Sequence, residues 1–298
     1  MRYLSVAEIA KKWNMSERSV RNYCAKGRVN GAFLTGKTWN LPENAEKPER
    51  INKRKEEPIT LLDILKEQKA SKYSGGIYHK IQIDLTYNSN HIEGSQLSHD
   101  QTRYIFETNT IGIQNETINV DDIVETANHF KCIDLIIDLA NYPLSESLIK
   151  QLHLILKSGT SDSRKSWFAV GDYKRIENEV GGMPTTKPEN VCKELKALLK
   201  SYNNIKQKSL KEIIEFHYEF EKIHPFQDGN GRVGRLIMFK ECLRNGITPF
   251  IIEDDIKEFY YRGLKEWKNE QGYLVDTCLT AQDRFKTYLD YFGIEYKD

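Results

Sequence analysis

Residues 43–58, ENAEKPERINKRKEEP, divide the chain more sharply than any other stretch. They carry dense charge of both signs and almost nothing apolar. Such a stretch has too little to bury to repay the entropy of ordering it. It predicts a linker or a frayed helix, so the chain has to fold as two pieces. The expected division is a head over 1–45, a charged linker over 46–58 and a body over 59–298, with a mainly α fold class.

Charge follows the same division. Residues 1–40 hold eight Lys/Arg against two Asp/Glu, whereas the part beyond residue 57 has a balance of −5. A basic head on a mildly acidic body predicts that the head alone meets a polyanion. No apolar run approaches the roughly 18–20 residues of a membrane span. The start, MRYLSVAEIAKKW, lacks the uncharged apolar core of a signal peptide. The cysteines Cys24, Cys132, Cys192, Cys242 and Cys278 are odd in number and scattered. They read as reduced buried thiols rather than a disulfide or zinc framework. These features set the expectation of a cytoplasmic protein with no membrane partner.

Within the head, Ser5 and Glu8 form an S-x-x-E capping box ahead of Val6, Ile9, Ala10 and Trp13 at helical spacing. Ser16 caps a second helix with Val20, Tyr23 and Cys24 on its inner face, and Gly27 ends it. Two short extended runs around Thr35-Gly36-Lys37 predict a hairpin. Helix, tight turn, helix and hairpin resemble a winged helix-turn-helix of the excisionase and MerR-like kind over about the first 45 residues. On that resemblance Arg18, Ser19, Arg21 and Asn22 face a DNA groove and Lys37 lies on the wing. A protein-docking module with a solvated basic face is the alternative, and the sequence leaves it open.

From Thr60 onward the apolar periodicity is helical, as in LLDILKEQ, VDDIVETANHFKCIDLIIDLA and VCKELKALLKSY. The exception is GDYKRIENEVGGMPTTKP (171–188), whose Gly-Gly pair and prolines predict a hairpin or loop. The most informative stretch follows IIEFHYEFEKI and reads HPFQDGNGRVGR, residues 224–235. Pro225 predicts the end of the preceding helix at His224. Gly229 and Gly231 flank Asn230, so backbone N–H groups can converge on an anion at the start of the next helix. Arg232 and Arg235 share a face of that helix and can fork onto phosphate oxygens. Asp228 offers a hard oxygen of the kind Mg2+ accepts beside a nucleotide. Phe226 is expected to anchor the loop inward, and an imidazole of ordinary pKa at His224 suits proton removal at neutral pH.

This stretch resembles, without departure, the HPFx[D/E]GNGRxxR signature of the Fic family, and the likeness extends across roughly 60–298. It implies a helical bundle with a small β-hairpin flap and transfer of AMP from ATP to a protein hydroxyl on Tyr, Thr or Ser. It also implies roles. His224 is the base and Asp228 the Mg2+ ligand; Asn230 and the amides of Gly229 and Gly231 meet the α-phosphate; Arg232 meets the β- and Arg235 the γ-phosphate. Glu125, Asn128, His153, Gly171 and Tyr173 recur at similar places in the family. GGMPTT, with Gly182, Met183 and Pro184, looks like the flap that pairs with a target segment. Trp267 and Lys268 stand where many relatives have an adenine-contacting asparagine, which leaves the nucleotide open.

A second motif bears on the first. Ser89-x-x-x-Glu93-Gly94 reads by itself as a helix end with a glycine cap and a solvated carboxylate. Beside the 224–235 loop it is similar to the family's inhibitory motif, which implies that Glu93 pairs with Arg235 while Ser89 steadies Glu93. The expectation is a self-inhibited, Mg2+-dependent adenylyltransferase acting on ATP and a protein, with DNA bound by the head. Removal of AMP, transfer of another nucleotide, and a DNA-binding regulator whose body senses nucleotide remain as alternatives, and homodimer formation stays open.

Overall fold

The computed structural model describes residues 2–49, 59–112 and 117–296. They divide into two compact units, 1–58 and 59–298. Most of the charged stretch, residues 50–58, lies outside the described residues.

In the first unit, α1 (Val6–Trp13) starts at Ser5, whose side chain accepts from the Glu8 N–H in a closed capping box. Asn14 turns the chain in the left-handed region, and Ser16 caps α2 (Glu17–Ala25). Strand β1 (Tyr3–Ser5) and the hairpin β2 (Phe33–Thr35) and β3 (Thr38–Pro42) form an antiparallel sheet of order β1-β3-β2. The strand at Tyr3–Ser5 is an addition to the sequence reading. Three residues are too few for a period-2 signal, and pairing with β3 is what makes them a strand. Val6, Ile9, Trp13, Val20, Cys24 and Leu41 form the core. Tyr23 is only half-buried, with the Arg28 guanidinium 5.0 Å above its ring.

The second unit is a helical bundle: α3 (Leu61–Ser71), α4 (Ile77–Ile92), α5 (His99–Thr108), α6 (Val120–Asp138), α7 (Glu146–Lys157), α8 (Pro188–Asn204), α9 (Leu210–Ile223), α10 (Asn230–Asn245), α11 (Lys257–Glu266) and α12 (Gly272–Tyr291). Between α7 and α8 stands the two-stranded hairpin β4 (Glu179–Val180) and β5 (Met183–Pro184). None of the described helices is long and apolar enough to cross a membrane.

Helix α10 is the axis of the bundle. Every residue from Arg232 to Leu243 is buried, and the helix has no solvent-facing stripe. Val233, Leu236, Ile237 and Phe239 join one core with α4, α6, α7 and α9; Met238 and Cys242 join a second with Ile256, Tyr260 and Trp267. The two loop arginines sit on this helix, so their guanidiniums are placed inside protein. Trp267 is itself core, stacked on Tyr218 at 5.3 Å.

Cys24, Cys132, Cys242 and Cys278 are buried free thiols, but Cys192 is half-exposed. Phe226 is fully buried and stacks on His153 at 4.0 Å with 6° between the planes. Removing that ring should leave a cavity under the loop. Phe226→Ala is expected to cost about 3–5 kcal/mol, read from urea unfolding of the full chain.

Candidate active site

The 224–235 segment is shaped by its own side chains. His224 ends α9 at φ 51°, a left-handed conformation that a non-glycine residue rarely holds without support. That support is local. The His224 N–H donates to Phe220 O, and the Lys174 N–H donates to Pro225 O at 2.9 Å. The Phe226 N–H donates to Asn230 Oδ1 at 2.8 Å, and Asn230 Nδ2 donates back to Phe226 O at 2.9 Å. Asn230 was expected at the α-phosphate. Both ends of its side chain instead close the loop on itself, and its backbone N–H is what it retains for an anion. Gly229 (φ 81°) precedes α10, and a Cβ there would crowd Leu156 at 3.3 Å.

His224 places Nδ1 3.2 Å from the Glu221 carbonyl, so an Nδ1–H donates there and Nε2 is the proton acceptor. Burial lowers its pKa to about 4, with the Lys174 ammonium acting in the same direction. The sequence expectation of an ordinary imidazole is therefore corrected: a histidine at a helix end reads as wet, but this one is walled in. The Glu221 carboxyl is buried too, its pKa pushed up to about 8 by burial and then by Glu93.

Arg235 is almost fully buried. Its Nη2 donates to Glu93 Oε1 at 2.7 Å and to Ser89 O at 2.8 Å, and its Nε donates to Ser89 Oγ at 3.0 Å. Ser89 was expected to steady Glu93. Its hydroxyl and carbonyl both hold the guanidinium instead, because they line the last turn of α4 directly over Arg235. Glu93 caps α4, and Gly94 at φ 97° carries the chain away. An added Cβ on Gly231 would lie 2.3 Å from Glu93 Oε1. The carboxylate thus rests against the first turn of α10, where the helix presents free amides and its positive dipole end. A carboxylate therefore lies at the start of α10.

Arg232 is bracketed differently. Its Nη1 donates to Glu125 Oε2 and its Nη2 to Asp228 Oδ2 at 3.3 Å. Lys157, 2% exposed, bonds Glu125 Oε1, Asp228 Oδ2 at 2.6 Å and Asp162 Oδ2 at 3.3 Å. Burial works to raise the Asp228 pKa, but Arg232 and Lys157 outweigh it and hold the carboxyl below the usual range. Sequence reasoning missed Lys157, since a lysine in the last turn of a helix ordinarily meets solvent and the helix dipole. Asn128 donates to Leu156 O and Ser158 O, and so closes the end of α7. His153 Nδ1 accepts from the Gly171 N–H at 2.9 Å. Beside Gly171, Tyr173 lies under the Lys150 ammonium, 4.0 Å from its ring.

The hairpin stands on one lysine. Lys174 Nζ donates to Asn178 Oδ1, Thr185 Oγ1 and Ile223 O, and Asn178 Nδ2 donates to Phe226 O. Gly181 and Gly182 turn it at φ 57° and 75°, and Met183 is 54% exposed beside Pro184. In the first unit, Arg18, Arg21, Asn22 and Lys37 are exposed, but Ser19 is half-buried with its hydroxyl 2.9 Å from Ser16 Oγ.

The bundle thus carries one loop that gathers a histidine, the start of α10, an aspartate and two arginines. Residues 143–242, from α7 through most of α10, match the model of the Fic/DOC family. The chain is 28% identical over 209 residues to Protein adenylyltransferase Fic of Drosophila grimshawi, with 67% of this chain and 39% of that protein covered. The Drosophila mojavensis counterpart gives the same identity. The chain thus spans about two fifths of the length of these relatives. Among solved structures, it is similar to a Fic domain containing signaling protein from Bacteroides thetaiotaomicron (TM-score 0.63, 22% identity, 80% of this chain and 98% of that one). It is also similar to Fic-1 from C. elegans (TM-score 0.60, 21% identity, 76% and 68%). The body thus shares its fold with these structures.

Three buried histidines and the largely enclosed His224 set a pH dependence of stability. His129, His153 and His217 are lowered to about 3 and His224 to about 4, each by burial first. Between those values and their ordinary 6.5 the unfolded chain binds more protons, so stability falls as pH drops through that window. Glu221 acts oppositely above its ordinary 4.5, but as one group against four. From pH 7 to 5, unfolding free energy is expected to fall by more than about 1.4 kcal/mol, the effect of one proton over one pH unit, measured by urea titration.

Proposed function

We propose that the body transfers AMP from ATP to a hydroxyl side chain of a protein, and that Glu93 holds it closed. The observation that carries this reading is the Glu93 carboxylate on Arg235 and Gly231, seated where the loop would receive a phosphate. The name of the Drosophila relatives, protein adenylyltransferase, supports the same reaction.

The chemistry follows from the residues. His224 is neutral at pH 7, and its Nε2 takes the proton of the target hydroxyl as that oxygen attacks the α-phosphorus. The new O–P bond forms while the bond to pyrophosphate breaks. Low basicity is the cost of burying this imidazole, and the negative charge of the incoming triphosphate offsets it. The Asn230 and Gly231 amides and the α10 dipole stabilise charge on the phosphate, with Arg232 and Arg235 gripping the groups beyond it. Asp228 is ionised and half-exposed, which fits one protein ligand to Mg2+ beside phosphates. The ion would supply charge neutralisation there. The exposed Val180–Met183 edge of the hairpin is suited to pair with an extended target segment.

Inhibition needs no blocked entrance. While Glu93 neutralises Arg235, a γ-phosphate meets a like charge instead of a cation. Glu93→Gly is expected to raise self-labelling from α-labelled ATP at least tenfold, and adding His224→Ala to abolish it. Absence of labelling by the Glu93 variant with all four α-labelled nucleotides would reject the transferase reading.

The first unit favours a second, compatible role. Arg18, Arg21 and Asn22 are exposed on one face of α2, at the spacing a recognition helix uses. We infer a winged helix-turn-helix that binds DNA. Arg18→Ala with Arg21→Ala should weaken duplex binding about tenfold or more and flatten its salt dependence by roughly two counterions, measured by fluorescence anisotropy. Unchanged binding would assign the head to protein docking.

A further inference from the structure

Lys157 has no part in the mechanism above, yet it is the most heavily paired cation beside the loop. It ends α7 with its side chain 2% exposed. A buried ammonium is strongly unfavourable unless carboxylates surround it, and here three do: Glu125, Asp162 and Asp228. Its stem runs beneath the anion-binding turn, since a Cβ on Gly229 would lie 3.6 Å from Lys157 Cδ. The ammonium is thus fixed 2.6 Å from Asp228 Oδ2, the oxygen that Arg232 also contacts.

The bracket differs in kind from the Glu93 latch. Glu93 is 26% exposed, bonds the one arginine, and is followed by a glycine that lets the chain turn away. Glu125 is 12% exposed and shared between Lys157 and Arg232, so displacing it would remove a partner from two buried cations at once and leave Arg232 with Asp228 and Lys157 with Asp162 and Asp228. The Lys157–Glu125–Arg232–Asp228 ring is therefore a permanent part of the phosphate site.

We propose that Lys157 is a built-in cation of this site: a positioning residue that fixes Asp228 and Arg232 and carries part of the positive charge otherwise left to a divalent metal. This rests on the reading of the loop as a triphosphate site. Its consequence is that the nucleotide binds with weak dependence on Mg2+. The ammonium already offsets charge at Asp228, so a divalent cation held by the same carboxylate adds less to the positive charge the phosphates meet.

The test is equilibrium binding of a fluorescent ATP analogue to the full chain carrying Glu93→Gly and His224→Ala, which frees the site and stops turnover. With Lys157 present, replacing Mg2+ by EDTA should weaken binding less than about threefold. With Lys157→Met added, the same exchange should weaken it about tenfold or more, and Mg2+ should restore it. Equal metal dependence in the two chains overturns the proposal. So does loss of binding in EDTA with Lys157 intact, an arm that needs no folded Met variant. No binding by the Lys157 chain even with Mg2+ rejects instead the triphosphate reading on which the proposal stands.

Discussion

Two guanidiniums buried on the central helix are the constraint around which this body is organised. A bundle with α10 at its axis places Arg232 and Arg235 where water cannot solvate them. Each then needs carboxylate and carbonyl partners from other helices, because an uncompensated buried charge costs several kcal/mol. Helix α4 meets the need at Arg235 through Ser89 and Glu93, and α6 meets it at Arg232 through Glu125. Burial tugs the Arg235 pKa down, and Glu93 more than restores it. Groups suited to gripping phosphate are thereby kept charged, oriented and occupied.

The occupancy is unequal, and the inequality has functional meaning. A carboxylate bonded to a single cation at a helix end, with glycine after it, exchanges readily for another anion. One shared by two buried cations does not. On the proposed reading, such a site holds its β-phosphate side shaped while its γ-phosphate side opens and closes. The same economy appears at the hairpin, where Lys174 ties both strand ends to the carbonyl preceding His224. The left-handed turn at His224 and the posture of the hairpin thus share one anchor.

Much of this was legible in the chain because the relevant physics is local. The 224–235 loop declares itself through Pro225, the two glycines and the i,i+3 arginines, all within a dozen residues. The capping box at Ser5 and the hairpin turn at Gly181-Gly182 are read the same way. Ser89 and Glu93 are one helical turn apart, so their common face was legible, though not which of them would hold the arginine. Burial was not legible. His224 reads as an ordinary imidazole and Lys157 as a solvated helix terminus until neighbouring helices are placed around them, and Asn230 as a phosphate donor until the loop closes on its side chain.

The sequence by itself determined the helices, the turn that exposes amides, and the kinds of side chain that meet there, since each depends on spacing and backbone preference over a few residues. It also marked a division of the chain within residues 43–58, where charge is dense and apolar residues are few. Tertiary structure decided which charges face each other, and of these pairs the family resemblance had implied Glu93 with Arg235. Glu93 and Arg235 are 142 positions apart and Glu125 and Arg232 are 107 apart, and no local rule pairs groups at such separations. Helix packing sets the distances, and the distances with the loss of water set which protonation states survive.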